Sequence, residues 1–338
     1  MDKLKLDSHK LMYQPLRVAQ LMAADTWEKA KSVYPLYVEV SPMGACNHRC
    51  SFCAVDYLGY QSHRIDAGFI GETLYKMYVC GTKSVMFAGE GEPLLHKDIN
   101  GMVRTARDIG LDVAITTNGV LLNKLDPIDE ISWIRVSMNA GTRETYAKIH
   151  RTDPRDFDRV LANLADAVLR KGKCSISAQM VLLPENAHEV ETLKQIGKDI
   201  GLDFVAIKPY SQHRSSLNKQ DGVVAAPEDS VGLVVRRTAF ETSVMEYDKC
   251  RATPNLWAYI RANGDVYSCS AFLGDDRFNL GNINRQTFRE IWQGDKRREN
   301  WEMMQAFDVA ECRMNCRMNQ CNIYLHDIVE GTPFANFI

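Results

Sequence analysis

The sequence predicts an α/β fold: a parallel sheet built from six strand–helix units, followed by a small cysteine-rich domain. Short β-rich segments alternate with helical patterns through the first two-thirds of the 338 residues, as βα units do and hairpins do not. Gly110, Gly172 and Gly201 each stand just after a helical pattern, where a left-handed cap is favoured. Beyond residue 250 the composition changes, and cysteines, an Asn-Gly turn signal and Trp257, Trp292 and Trp301 appear.

In chain order, residues 1–35 read as an N-terminal extension of one or two helices. The core, 36–215, carries candidate strands at Leu36–Val40, Ser84–Ala88, Val113–Thr117, Trp133–Ser137, Ile176–Leu182 and Phe204–Lys208. Helices are expected near 67–80, 97–109, 155–171 and 187–200. A polar, Gly/Ala/Pro-rich stretch makes 216–249 a linker or lid. The last domain is 250–338, with Asn263-Gly264 as a hairpin turn. This periodicity suits an open (β/α)6 barrel and a doubly wound open sheet equally.

Composition narrows the function classes. The chain is 45% hydrophobic and 25% charged, ordinary for a globular protein with a large core. A net charge of −2 gives no electrostatic reason to bind nucleic acid or an anionic membrane. No apolar run is long enough to span a bilayer, and the first twenty residues lack the apolar core of a signal peptide. The expected location is the cytoplasm, where ten cysteines point to metal or catalysis rather than disulfides. Eight of them fall in two groups, at 46, 50 and 53 and at 250, 269, 312, 316 and 321. Cys80 and Cys174, alone in apolar segments, read as packed side chains.

Cys46, Cys50 and Cys53 have C-x3-C-x2-C spacing just after the first strand. Iron–sulfur clusters are held by thiolates, usually four per cubane, so three on one loop leave one iron open to a small molecule. The alternative is a zinc knuckle completed by His48 or His63.

The spacing, with Phe52 before the last cysteine, resembles the radical S-adenosylmethionine (SAM) superfamily. The resemblance implies a partial (β/α)6 TIM-like barrel and a [4Fe–4S] cluster whose open iron is chelated by SAM. Reductive cleavage there yields a 5′-deoxyadenosyl radical that abstracts hydrogen from a substrate. Gly89-Glu90-Gly91-Glu92-Pro93 after the second strand resembles the family's glycine-rich SAM motif, with Glu90 where another glycine is usual. Gly91, Glu92 and Pro93 are the firmer match. By position in the family, Asn118, Ser137, Asn139 and Gln179 become SAM-site candidates. Asp56, Tyr57, Lys208, Tyr210, His213 and Arg214 are candidate substrate contacts on loops after strands, where α/β barrels place their sites.

The second cysteine group reads C-x13-G-x4-C, then C-x3-C-x4-C, and resembles the SPASM/twitch extension that holds auxiliary clusters. Its five cysteines are too few for two fully ligated cubanes. One auxiliary [4Fe–4S] cluster is expected on Cys250, Cys269, Cys312 and Cys316, leaving Cys321 as a hydrogen donor, an alternative ligand or a packed side chain. A structural zinc site is the competing reading, and either metal would stabilise the domain.

The resemblance implies an oxidoreductase or epimerase served by a flavodoxin- or ferredoxin-type reductant. Only about 35 residues precede the first strand, short for a peptide-recognition module, which favours a small carbohydrate or aminocyclitol substrate. The alternatives are a peptide-modifying maturase (epimerase or crosslinking) and a zinc or Fe–S structural or electron-carrier protein.

Overall fold

The computed structural model describes residues 9–211, 213–219, 234–236, 247–312, 316–331 and 333–336. Strands β1 (Tyr37–Val40), β2 (Ser84–Phe87), β3 (Asp112–Thr117), β4 (Trp133–Ser137), β5 (Ser175–Leu182) and β6 (Phe204–Pro209) pair in parallel, each beside the next in the chain. Between them run α3 (Ala67–Val79), α4 (Ile99–Ile109), α5 (Arg143–His150), α6 (Arg155–Arg170) and α7 (Val190–Ile200), preceded by α1 (Pro15–Met22) and α2 (Trp27–Ala30).

Each long helix presents a buried stripe at helical spacing: Ile70, Leu74 and Met77 on α3, Met102, Val103 and Ala106 on α4, and Val160, Leu164 and Ala167 on α6. These meet outward strand residues such as Val38, Val40, Ile134 and Val136 in one core, each large aliphatic contributing about 1.5–3 kcal/mol by burial. Gly110 and Gly201 close α4 and α7 in the left-handed conformation.

The opposite face decides between barrel and flat sheet. Glu39, Met86, Thr116, Arg135, Gln179, Lys208 and Tyr259, from seven different strands, all line one cavity of about 550 Å³. A sheet whose inner face surrounds a single cavity is curled into a partial barrel. A doubly wound sheet would cover that face with helices.

The sheet extends beyond the six expected strands. β7 (Val234–Arg236) adds in parallel to β6, inside the segment read as a linker; most of 216–249 lies outside the described residues. On the other edge β8 (Trp257–Ile260) pairs in parallel with β1, and β9 (Asp265–Tyr267) and β10 (Asn279–Asn282) follow antiparallel. The Asn263-Gly264 turn joins β8 to β9 as expected, but the hairpin continues the barrel sheet rather than standing apart. Then come α8 (Phe288–Trp292), α9 (Asp295–Gln305) and α10 (Asn319–Glu330). Arg297 on α9 is fully buried and donates to the carbonyls of Ala30, Val33, Pro254 and Trp292, so its charge is compensated where the C-terminal region meets the N-terminal helices. Burial pushes its guanidinium pKa down to about 9. No helix among the described residues is long and apolar enough to cross a membrane.

Candidate active site

The loop after β1 brings Cys46, Cys50 and Cys53 together on the cavity wall. Burial, then the neighbouring sulfurs, pushes the Cys50 thiol well above its ordinary pKa, and burial lifts Cys46 to about 11. Such thiols ionise only when a metal supplies the compensating charge. Soft sulfur donors on one loop, without a fourth cysteine on it, fit a [4Fe–4S] cluster with an open iron.

A residue that sequence reading missed supports this loop. His150, the last residue of α5, places Nδ1 3.2 Å from Cys50 Sγ and Nε2 3.1 Å from the Met138 carbonyl. Burial, with His48 beside it, drives its pKa down to about 3, so the ring is neutral. Phe52 packs edge-on to it at 5.5 Å. Ligand atoms of His48, Cys50 and His150 lie within 4.8 Å of one another, the nearest approach to the zinc alternative; His63 is exposed. The available signal was Thr142 as helix cap with Tyr146 and His150 on one face four residues apart.

The glycine-rich turn is tied on both sides. Glu92 Oε1 accepts from Thr117 Oγ1 (2.6 Å), and Oε2 accepts from the Asn118 amide (2.8 Å). Asn118 Nδ2 donates to Asn47 Oδ1 at 2.7 Å, which links the turn after β3 to the cysteine loop. Glu90 explains its own departure from the family pattern. It is buried, and its carboxylate accepts from Arg261 Nε (2.8 Å) and the Ala262 amide (2.9 Å), fastening the turn to the β8–β9 hairpin. Glu90→Ala is expected to cost about 3 kcal/mol by stranding Arg261, read by urea denaturation; a loss within about 0.5 kcal/mol, as at an ordinary surface site, would contradict this tie.

Gly91, Glu92, Asn118, Ser137, Gln179, Lys208 and Tyr210 line the same cavity as the cysteines and Phe52. Gln179 Nε2 donates to Ser137 Oγ at 2.8 Å, and Lys208 Nζ donates to Gln179 Oε1, a chain across β4, β5 and β6. Other expected site residues stand elsewhere. Pro93 is buried at the start of a short 3-10 turn. Asn139 is fully buried, and its Oδ1 accepts from the Val181 amide. Asp56 accepts from the Leu217 and Asn218 amides. Tyr57 and His213 stack at 4.8 Å and bond the carbonyls of Leu273 and Ala271. Arg214 is exposed. The side chains of Asn139, Asp56, Tyr57 and His213 thus fasten loops to one another rather than face the cavity.

Cys250, Cys269, Cys312 and Cys316 line a second pocket walled by Trp257, Phe272, Phe278, Phe307, Met304 and Met318. Cys316 lines both this pocket and the large cavity. The next residue, Arg317, also lines the cavity and pairs with Glu39 on β1. Cys321 departs from the role of hydrogen donor. It lies on α10, packed against the cluster of Leu11, Val18 and Leu21 and outside the cavity lining, with its thiol pushed up to about 12 by burial and then by Cys316 and Cys250.

The model of the radical SAM superfamily matches residues 40–196, and that of SPASM, an iron–sulfur cluster-binding domain, matches 250–322. A GTP 3′,8-cyclase of Chlorobaculum tepidum is 30% identical over 186 residues, covering 53% of this chain and 55% of its own. A probable GTP 3′,8-cyclase of Metallosphaera sedula is 28% identical over 205 residues, covering 56% and 62%. The chain thus spans little more than half the length of the curated relatives it matches. Streptococcus suis SuiB bound to precursor peptide SuiA superposes with a TM-score of 0.64 at 18% identity, covering 88% of this chain and 71% of that one. Native anSMEcpe with bound AdoMet gives 0.58 at 19% identity, covering 85% and 88%. Both likenesses concern the fold. The chain belongs to the radical SAM superfamily, in the branch that carries a SPASM domain, and these domains imply SAM, a [4Fe–4S] cluster and auxiliary iron–sulfur clusters.

Proposed function

We propose that the protein oxidises a small hydroxylated substrate, a carbohydrate or aminocyclitol, by removing hydrogen from carbon. Cys46, Cys50 and Cys53 hold the first cluster, which with bound SAM supplies a 5′-deoxyadenosyl radical. Gly91, Glu92, Asn118, Ser137 and Gln179 bind and orient SAM, while Pro93 and Asn139 set the turns that carry these contacts. Lys208 and Tyr210 face the substrate. Met86, Trp133 and Leu273 add apolar wall that keeps water from the reacting carbon. Cys250, Cys269, Cys312 and Cys316 hold one auxiliary cluster. A flavodoxin- or ferredoxin-type reductant in the cytoplasm completes this reading.

The observation that carries an oxidative outcome is Cys316, shared by the two pockets. A cluster held in part by Cys316 would adjoin the substrate cavity, where an electron acceptor is useful. Epimerisation by a free cysteine would need a thiol in the cavity, and among the described residues only the assigned ligands place one there. In deuterated water the expected product is lighter than the substrate by one hydrogen pair. Product heavier than the substrate by one mass unit, with one solvent deuterium on carbon, would overturn this outcome.

Cys269→Ala is expected to remove roughly four irons per chain, one cubane's worth, while SAM cleavage persists. Unchanged iron in the purified variant would exclude Cys269 as a ligand.

A further inference from the structure

Tyr259 has no part in the site described so far, yet it faces the cavity from β8. It is 2% exposed, and its hydroxyl has no hydrogen-bond partner. Burying an unpaired hydroxyl is costly, and this one belongs to a residue of the cavity wall. Two features fix its surroundings. Gly89, at φ +120°, has no side chain, and a Cβ there would lie 2.6 Å from Tyr259 Oη, so the hydroxyl sits against the glycine-rich turn. Glu39 is the residue in register on the neighbouring strand, and it lines the same cavity. Burial, then Glu39 and Glu90, holds the phenol far above its ordinary pKa, so it remains a donor. The Glu39 carboxylate takes the Tyr37 hydroxyl at 3.3 Å and Arg317, and a carboxylate has about four lone-pair sites.

We propose that Tyr259 and Glu39 form the subsite for a substrate hydroxyl, Tyr259 donating to its oxygen and Glu39 accepting its hydrogen. The pair selects alcohol-bearing ligands, polyols and sugars, because a ligand lacking the hydroxyl leaves the buried Tyr259 hydroxyl unpaired. This deepens the function proposed above and rests on it. The ribose of SAM carries the same chemistry, so the test separates the two sources.

Holoenzyme and its Tyr259→Phe variant are titrated calorimetrically with SAM, and then, SAM-loaded, with myo-inositol, 2-deoxystreptamine and UDP-glucose separately. The expected result is that at least one polyhydroxylated probe binds the wild type and that Tyr259→Phe weakens it about tenfold. SAM affinity and iron content stay unchanged, and the melting temperature does not fall, since a phenyl ring fills the site without the unpaired oxygen. Equal loss of SAM affinity would assign the hydroxyl to SAM and overturn the subsite. Unchanged probe affinity, binding of none of the three probes, or a lowered melting temperature would also overturn it. Reductive formation of 5′-deoxyadenosine by the wild type tests the underlying function separately: its absence removes that function, whereas its presence beside unchanged probe affinity removes only the subsite.

Discussion

Replacing Cys50 by alanine is expected to bring 5′-deoxyadenosine formation down to background, a loss of about a thousandfold or more. The reason is geometric. Cys50 is the middle thiol of the trio, and its neighbours Cys46 and Cys53 both act on it through space. Its sulfur is also the point where the loop meets His150. Two remaining thiols cannot hold three irons of a cubane, so the open coordination position is lost with the cluster. Iron bound in the second pocket should survive, because none of its four cysteines is touched. The measurements are iron per chain and 5′-deoxyadenosine after reduction with SAM. Retained cleavage in Cys50→Ala would mean that another group fills the corner, and His150, 3.2 Å away, is the side chain to remove next.

Much of the barrel was legible because parallel strands buried on both faces leave dense apolar runs between helices with clear caps. Asp112–Thr117 and Phe204–Pro209 differ from the expected strands by a single residue at one end. What the chain could not announce was long-range. That β8 joins the edge of β1 is a pairing across more than two hundred residues, with no local signature. β7 lay hidden because its valines sit in a stretch whose Gly, Ala and Pro content reads as linker.

The site divides along the same line. Loop residues with a spacing, the cysteines and the glycine-rich turn, were readable, since their chemistry needs them close in sequence. Glu39, Arg135 and Tyr259 were missed, because one polar residue in an apolar strand reads equally as solvated, and only the curl of the sheet turns it inward. Asp56, Tyr57 and His213 stand outside the cavity lining and bond neighbouring loops. Polar residues on loops beside a site are as readily used to hold the loops, and pattern does not separate the two uses.

Gly91→Ala is the sharper test of how the glycine-rich turn serves the first cluster. A Cβ at this position would lie 2.3 Å from the carbonyl oxygens of both Met43 and Ala45, and 2.7 Å from the Gly44 carbonyl carbon. These atoms are backbone, so no rotamer change relieves the clash, and they form the segment leading directly into Cys46. The Glu92 amide also donates to the Ala45 carbonyl at 2.9 Å, which pins the turn against that segment. Relief requires the turn and the cysteine loop to separate by about 1 Å to reach ordinary contact distance. A misplacement of that size at a reacting centre costs about a hundredfold in rate, and overpacking of this kind costs about 1–3 kcal/mol in stability. Cleavage of SAM is therefore expected to fall about a hundredfold while iron in the second pocket is kept. Gly101→Ala on the exposed face of α4 is the control: nothing lies within 4 Å of its Cβ, and alanine there should add up to about 1 kcal/mol of stability without touching the rate. If Gly91→Ala cleaves SAM as fast as Gly101→Ala does, the turn does not set the position of the cluster loop, and the match of its glycine to the family motif has no mechanical meaning in this chain.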